Sequence, residues 1–212
     1  MAIFPENLAE LARGTKGFMP TKEGLALFDL ASAIPSTLSG PIVEIGSYCG
    51  LSTIYLGEAA RQTGRSMLTV DHHRGSEEMH PPSPYFDQSV IDPVTKRVDT
   101  LPFLRRTLEL SELESVVTVA IGDSAVVAGL VADPIACLFI DGGHGALQEW
   151  VDYASWADKI TVGGLLLIHD VFEDEKDGGR PPFEIYTAAV ASKQFATFTK
   201  DMGSLRALRR VS

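Results

Sequence analysis

Ile42-Val43-Glu44-Ile45 is a short β-branched run broken by one acid, and it stops at Gly46-Ser47-Tyr48-Cys49-Gly50 before Leu51–Leu56 resumes with helical spacing. A strand that ends on glycines and restarts as a helix leaves backbone N–H groups pointing out of the helix N-terminus. In an alternating βα chain such turns lie at the carboxyl edge of a parallel sheet, where small molecules bind. The pattern recurs: Ser66–Val70 closes on Asp71, Val116–Ile121 on Gly122-Asp123-Ser124, Ile135–Ile140 on Asp141-Gly142-Gly143-His144, and Gly163–Ile168 on His169-Asp170. Helices are predicted between these runs. One covers Lys22 to Ala33, capped by Thr21; a second runs from Leu51 to Gln62 and is ended by Gly64. Others cover Leu101–Leu110, Ala125–Val131, the stretch carrying Leu147, Trp150, Val151 and Ala154, and Pro181 to Lys193. Gln194–Thr199 and Gly203–Arg209, with a turn around Asp201, predict an antiparallel end to the sheet. The expected fold is α/β, a single domain over residues 1–212, with an N-terminal arm and helix at 1–40.

The turn after the first strand limits its ligand. A dinucleotide fingerprint needs glycine at the first, third and sixth positions. Counted from Gly46, those positions hold Gly46, Tyr48 and Leu51, so a side chain stands where backbone must approach a pyrophosphate. That weakens the NAD reading. Glu44, just before the turn, favours a ligand carrying positive charge; S-adenosylmethionine, with an ammonium, a sulfonium and no phosphate, fits. Asp71, at the end of the second strand, suits ribose hydroxyls, with a loop or helix-cap role as the alternative. A net charge of -10 argues against nucleic acid or an acidic membrane surface as partner. Two cysteines without ligand spacing suggest a reducing compartment. Met1–Arg13 has no basic start and long apolar core, and no apolar stretch nears the roughly 20 residues that span a bilayer, so a cytoplasmic location is expected.

Residues 74–100 form a long loop rich in proline and acids, with Tyr85 and Phe86; leaving the sheet on the Asp71 edge, it is expected to be a substrate lid. Trp150 falls on the apolar stripe of its helix and is expected in the core, whereas Trp156 falls off it and is expected to meet a loop or a partner subunit.

Val43-Glu44-Ile45-Gly46-Ser47-Tyr48-Cys49-Gly50, Val70-Asp71, Gly122-Asp123-Ser124 and Ile140-Asp141-Gly142-Gly143-His144, in that order, resemble class I S-adenosylmethionine-dependent methyltransferases. His169-Asp170 after Gly163–Ile168 is similar to the metal-dependent O-methyltransferase branch that includes macrocin-type sugar methyltransferases. The resemblance implies a Rossmann-like, seven-stranded, mostly parallel sheet with an antiparallel C-terminal strand and helices on both faces. It implies that Glu44, Gly46, Ser47, Gly50 and Ser52 hold the methionine end of the cofactor, Asp71 the ribose, and Asp123 with Ser124 the adenine. Asp141 lies beside the cofactor and, with Asp170, matches acids that bind Mg2+. His169, where a further acid or amide is usual nearby, is either a third ligand or a partner to one.

A sugar hydroxyl is a poor nucleophile while protonated, and a hard dication can lower its pKa and fix its geometry. His144, next to Asp141, is expected to take the proton, with metal ligation or a helix N-terminal role as alternatives. His72, His73 and Arg74 are candidate substrate contacts or parts of a solvated loop. The expected reaction is methyl transfer to a hydroxyl of a small polar acceptor. A saccharide is favoured because the site looks poor in aromatic residues; a catechol-like acceptor is the alternative. An NAD-dependent oxidoreductase and a non-catalytic cofactor-binding protein are the other readings. A homodimer or higher homo-oligomer is expected from the N-terminal arm and the proline-rich loop.

Overall fold

The computed structural model describes residues 2–76, 79, 81–83, 85–132, 134–143, 145–174, 176–198 and 202–212. Seven strands form one sheet in the order β3-β2-β1-β4-β5-β7-β6. They are β1 (Ile42–Ile45), β2 (Met67–Asp71), β3 (Val117–Ile121), β4 (Ile135–Ile140), β5 (Ile160–Ile168), β6 (Phe195–Thr197) and β7 (Arg206–Arg210). Neighbours among β1–β5 pair in parallel, and β7 runs antiparallel to both β5 and β6. This is the mixed sheet expected from the sequence. β5 begins earlier than its apolar run, and both C-terminal strands are shorter than their sequence signals; residue 201 lies outside the described residues.

The helices are α1 (Glu6–Gly14), α2 (Thr21–Ser32), α3 (Leu51–Thr63), α4 (Leu101–Leu110), α5 (Ser124–Ala128), α6 (Ala146–Trp156) and α7 (Pro181–Ala191). Alternation along the strands sends Ile42, Cys137, Phe139, Leu165 and Leu167 to one core, packed under α1–α4. Val43, Ile45, Leu138, Ile140, Leu166 and Ile168 face the other, under α5–α7. β4, at the sheet's centre, is buried at every position, as its unbroken apolar run requires.

Some local expectations are corrected. Thr21 is the first helical residue rather than the cap: Pro20 sits at the cap with extended backbone, and no side chain caps α2. The N-terminal arm contains α1, which buries Leu8 and Ala12, while Phe4 stacks on Tyr55 at 4.7 Å and meets Phe28 edge-on at 5.1 Å. It packs on its own domain. The two tryptophans exchange places: Trp156 is fully buried at the foot of α6, and Trp150 is 37% exposed beside a solvent-facing Leu147. α6 meets the sheet through Trp156 and half-buried Tyr153, with Ala157 just beyond its end, one face away from the Leu147–Trp150 stripe. α5 stops at Ala128, short of Val131.

The long loop folds back on the first turn. Val90 and Val98 are buried against Cys49, and Ile91 and Val98 form an antiparallel bridge. Among the described residues no helix is long and apolar enough to cross a membrane.

Candidate functional site

The carboxyl ends of β1–β5 open into one cavity. Gly46 (φ +90°), Ser47, Tyr48, Asp71, His72, Gly122, Ser124, Asp141, Gly142, His169 and Asp170 all line it. Gly46 is required twice over: its backbone is left-handed, and a Cβ there would collide with the Asp141 carbonyl oxygen. Gly50, also left-handed at φ +95°, opens α3.

Glu44 lies beneath this turn, not in the cavity. It is wholly buried, and its carboxylate accepts hydroxyls from Ser52 (2.6 Å), Thr53 (2.7 Å) and Thr69 (2.6 Å). Strand alternation points it at α3, so it anchors the turn to its helix, and it is not among the residues that line the cavity. Burial outweighs the three donors and pushes its pKa up to about 7. Ser52 does line the cavity, with its hydroxyl committed to Glu44. Ser47 is different: its hydroxyl is buried and finds no partner among the described residues, so it is available to a bound ligand.

Asp71 stitches two turns together, accepting the Tyr48 N–H at 2.8 Å and the His73 N–H at 2.7 Å while still facing the cavity. Of His72, His73 and Arg74, only His72 lines the cavity. His73 is buried, its Nδ1 2.7 Å from the Thr100 hydroxyl, and burial lowers its pKa. Arg74 reaches the Val98 carbonyl at 3.3 Å and Asp99 at 3.6 Å. Both brace the lid, and neither is among the residues that line the cavity.

Toward β3, Asp123 is exposed and caps α5 by accepting the Val126 N–H at 3.1 Å, while its neighbours Gly122 and Ser124 line the cavity. Ser124 lines the cavity and accepts the Trp156 indole N–H at 3.0 Å. Asp152, from α6, stands beside it, nearly inaccessible, with its pKa raised by burial and Gln148 donating to it at 3.0 Å. No sequence motif marked Asp152, whose position on α6 alone brings it here.

Between β4 and β5, Asp141, His169 and Asp170 each offer one ligand atom, and these atoms all lie within 4.8 Å of one another. His169 Nδ1 is 2.9 Å from Asp141 Oδ1 and 3.5 Å from Asp170 Oδ1; Nε2 is 2.6 Å from Glu23 Oε2. Burial pulls the imidazole pKa down, but Asp141, Glu23 and Asp170 together raise it to about 11. One nitrogen and two carboxylate oxygens so close together fit a divalent cation. His144 lies outside the described residues.

The outer wall is aromatic, contrary to the reading of a site poor in such residues. Phe18, from the segment before α2, packs 5.6 Å from Tyr48 and edge-on to Tyr85 at 5.2 Å, and Met19 and Met79 line the same wall. Lys16 ties this segment to the lid through Asp87 at 2.6 Å, an ion pair that lowers the Asp87 pKa to about 2. The residues come from separated loops, which is why no local pattern announced them.

Residues 43–171 match the family described as a methyltransferase domain. The fold is also similar to solved structures of low identity. The O-methyltransferase NovP is 17% identical with a TM-score of 0.68, over 91% of this chain and 81% of that one. The O-methyltransferase TomG from Streptomyces achromogenes, solved with SAM, is 12% identical with a TM-score of 0.67, over 99% and 92%. The methyltransferase PaMTH1 from Podospora anserina, solved with SAH, is 13% identical with a TM-score of 0.65, over 99% and 89%.

Proposed function

The chain belongs to the methyltransferase-domain family, and we propose that it transfers the methyl group of S-adenosylmethionine to a hydroxyl oxygen of a small acceptor. The observation that carries this reading is the meeting, in one cavity, of the Gly46–Gly50 turn and Asp71 with the Asp141–His169–Asp170 cluster. S-adenosylmethionine supplies an electrophilic methyl on a sulfonium; the acceptor oxygen forms the new C–O bond as the C–S bond breaks, and the hydroxyl proton passes to a base.

Ser47, in the Gly46–Gly50 turn, would hold the methionine end through its unpartnered hydroxyl. Asp71 would accept the ribose hydroxyls, and Ser124 and Asp152 would face the adenine. Asp141, His169 and Asp170 would hold Mg2+ or another divalent cation, which would acidify the acceptor hydroxyl. His144, three residues from Asp141, is the proposed base. Tyr48, in the turn where a dinucleotide needs bare backbone, keeps the NAD reading behind this one.

A saccharide remains the proposed acceptor, with its ring face against Phe18 and Tyr85. Those same side chains favour a second reading, a catechol-like ring stacked on them. Self-association as a homodimer or higher oligomer is also proposed, supported by solvent-facing Val126, Leu130 and Leu147 on and beside α5 and α6. The test is transfer of labelled methyl to panels of saccharides and vicinal phenols, with divalent cation and with chelator. Cation-dependent labelling of a hydroxyl compound is expected. No transfer to any hydroxyl acceptor under either condition would contradict the proposal.

A further inference from the structure

Glu23 reaches the site from the far side of the sequence. It lies in the first turn of α2, yet its carboxylate is buried and engaged on both oxygens. Oε2 is 2.6 Å from His169 Nε2 and accepts the Ser204 hydroxyl at 3.1 Å; Oε1 accepts the Ser204 N–H at 2.7 Å. Gly203, left-handed at φ +66°, makes room, since a Cβ there would run into Glu23 Oε1. An N-terminal helix and the turn before β7 thus fix one carboxylate against one histidine.

Both ring nitrogens meet carboxylates, which accept, so each carries a hydrogen here; a cation held at Nδ1 would take the place of that hydrogen, while the Nε2 hydrogen stays with Glu23. Nδ1 is the nitrogen that faces Asp141 and Asp170. A carboxylate on the remote nitrogen of a ligating histidine fixes the ring and strengthens its donor atom. A nitrogen donor also changes what the site prefers, because Mg2+ favours all-oxygen sets whereas imidazole suits transition metals.

Resting on the metal reading above, we propose that Glu23 is a positioning residue that holds His169 in the Nε2–H tautomer, and that the resulting one-nitrogen, two-carboxylate set selects a first-row transition dication over Mg2+. Glu23→Gln inverts the arrangement. Its amide oxygen stays with the Ser204 N–H, its NH2 faces Nε2, and the ring keeps its hydrogen on Nδ1, where it opposes a cation.

The experiment is calorimetric titration of the full chain with Mn2+ and with Mg2+, for wild type and Glu23→Gln, with circular dichroism to verify folding. Tighter binding of Mn2+ than Mg2+ by wild type, and loss of about 10- to 100-fold in Mn2+ affinity in Glu23→Gln, are expected. Unchanged Mn2+ affinity in the variant, or a wild-type preference for Mg2+, would overturn the inference and leave the metal reading standing. Binding of neither cation by wild type would overturn the metal reading itself. Should Glu23→Gln not fold, long-range 1H–15N correlation spectra of the Zn2+-loaded wild type decide the point. Hydrogen on Nε2 with Nδ1 bound is expected, and the reverse assignment would overturn it.

Discussion

Glu44 was legible as an acid out of place in a β-branched run, but its direction was not. Only strand alternation, which turns it toward α3 and the hydroxyls of Ser52, Thr53 and Thr69, makes it an anchor. Its titration follows from that burial. Folded, its pKa is raised from 4.5 to about 7; unfolded, it returns to the ordinary value. The folded state therefore binds the extra proton within that window, and the stability Glu44 contributes is full below 4.5 and is lost as pH rises through 7. Thermal melts from about pH 5 to pH 8 should show Glu44→Gln gaining on wild type as pH rises; a constant difference would contradict the burial argument. The proposed base is tested at the same scale. His144→Gln should lower the transfer rate by about 10²- to 10⁴-fold while leaving S-adenosylmethionine affinity unchanged, measured by single-turnover kinetics beside calorimetry.

Among the elements, the strands and their closing acids were readable because a central parallel strand must be apolar along its length and must end where backbone meets ligand. What was not readable came from packing between distant segments. Leu8 and Ala12 announce a weak amphipathic helix, but nothing local says that α1 docks on α3 under Phe4 and Tyr55. Leu8, 1% exposed, belongs to the main core, so Leu8→Ala should cost about 2–5 kcal/mol in denaturant unfolding; a cost under about 1 kcal/mol would return the segment to the status of a loose arm. The lid behaves differently. Lys16–Asp87 is a partly exposed pair, and Lys16→Ala should change stability by about 1 kcal/mol at most. Phe18→Ala, which removes the ring that meets both Tyr48 and Tyr85, should instead raise the acceptor KM with little change in melting temperature.

At the scale of the whole molecule, the topology makes one site out of residues from both ends of the chain. β1, β2 and β3 set out Gly46, Asp71 and Ser124 along one edge, while β4 and β5 supply Asp141, His169 and Asp170. α2 and the turn before β7 then close on His169 through Glu23 and Ser204. The order of motifs was visible in the sequence because each ends a strand; the brace was not, because Glu23 and Ser204 carry no pattern and meet only when the sheet is complete. Everything proposed for the site depends on the cavity holding S-adenosylmethionine at the Asp71 edge. Calorimetric titration of that cofactor into wild type and Asp71→Ala is therefore the measurement to make. Saturable binding by wild type, weakened by about tenfold or more when the carboxylate proposed to accept the ribose hydroxyls is removed, is the expected result. No binding by wild type, or equal binding by a folded Asp71→Ala, would contradict it.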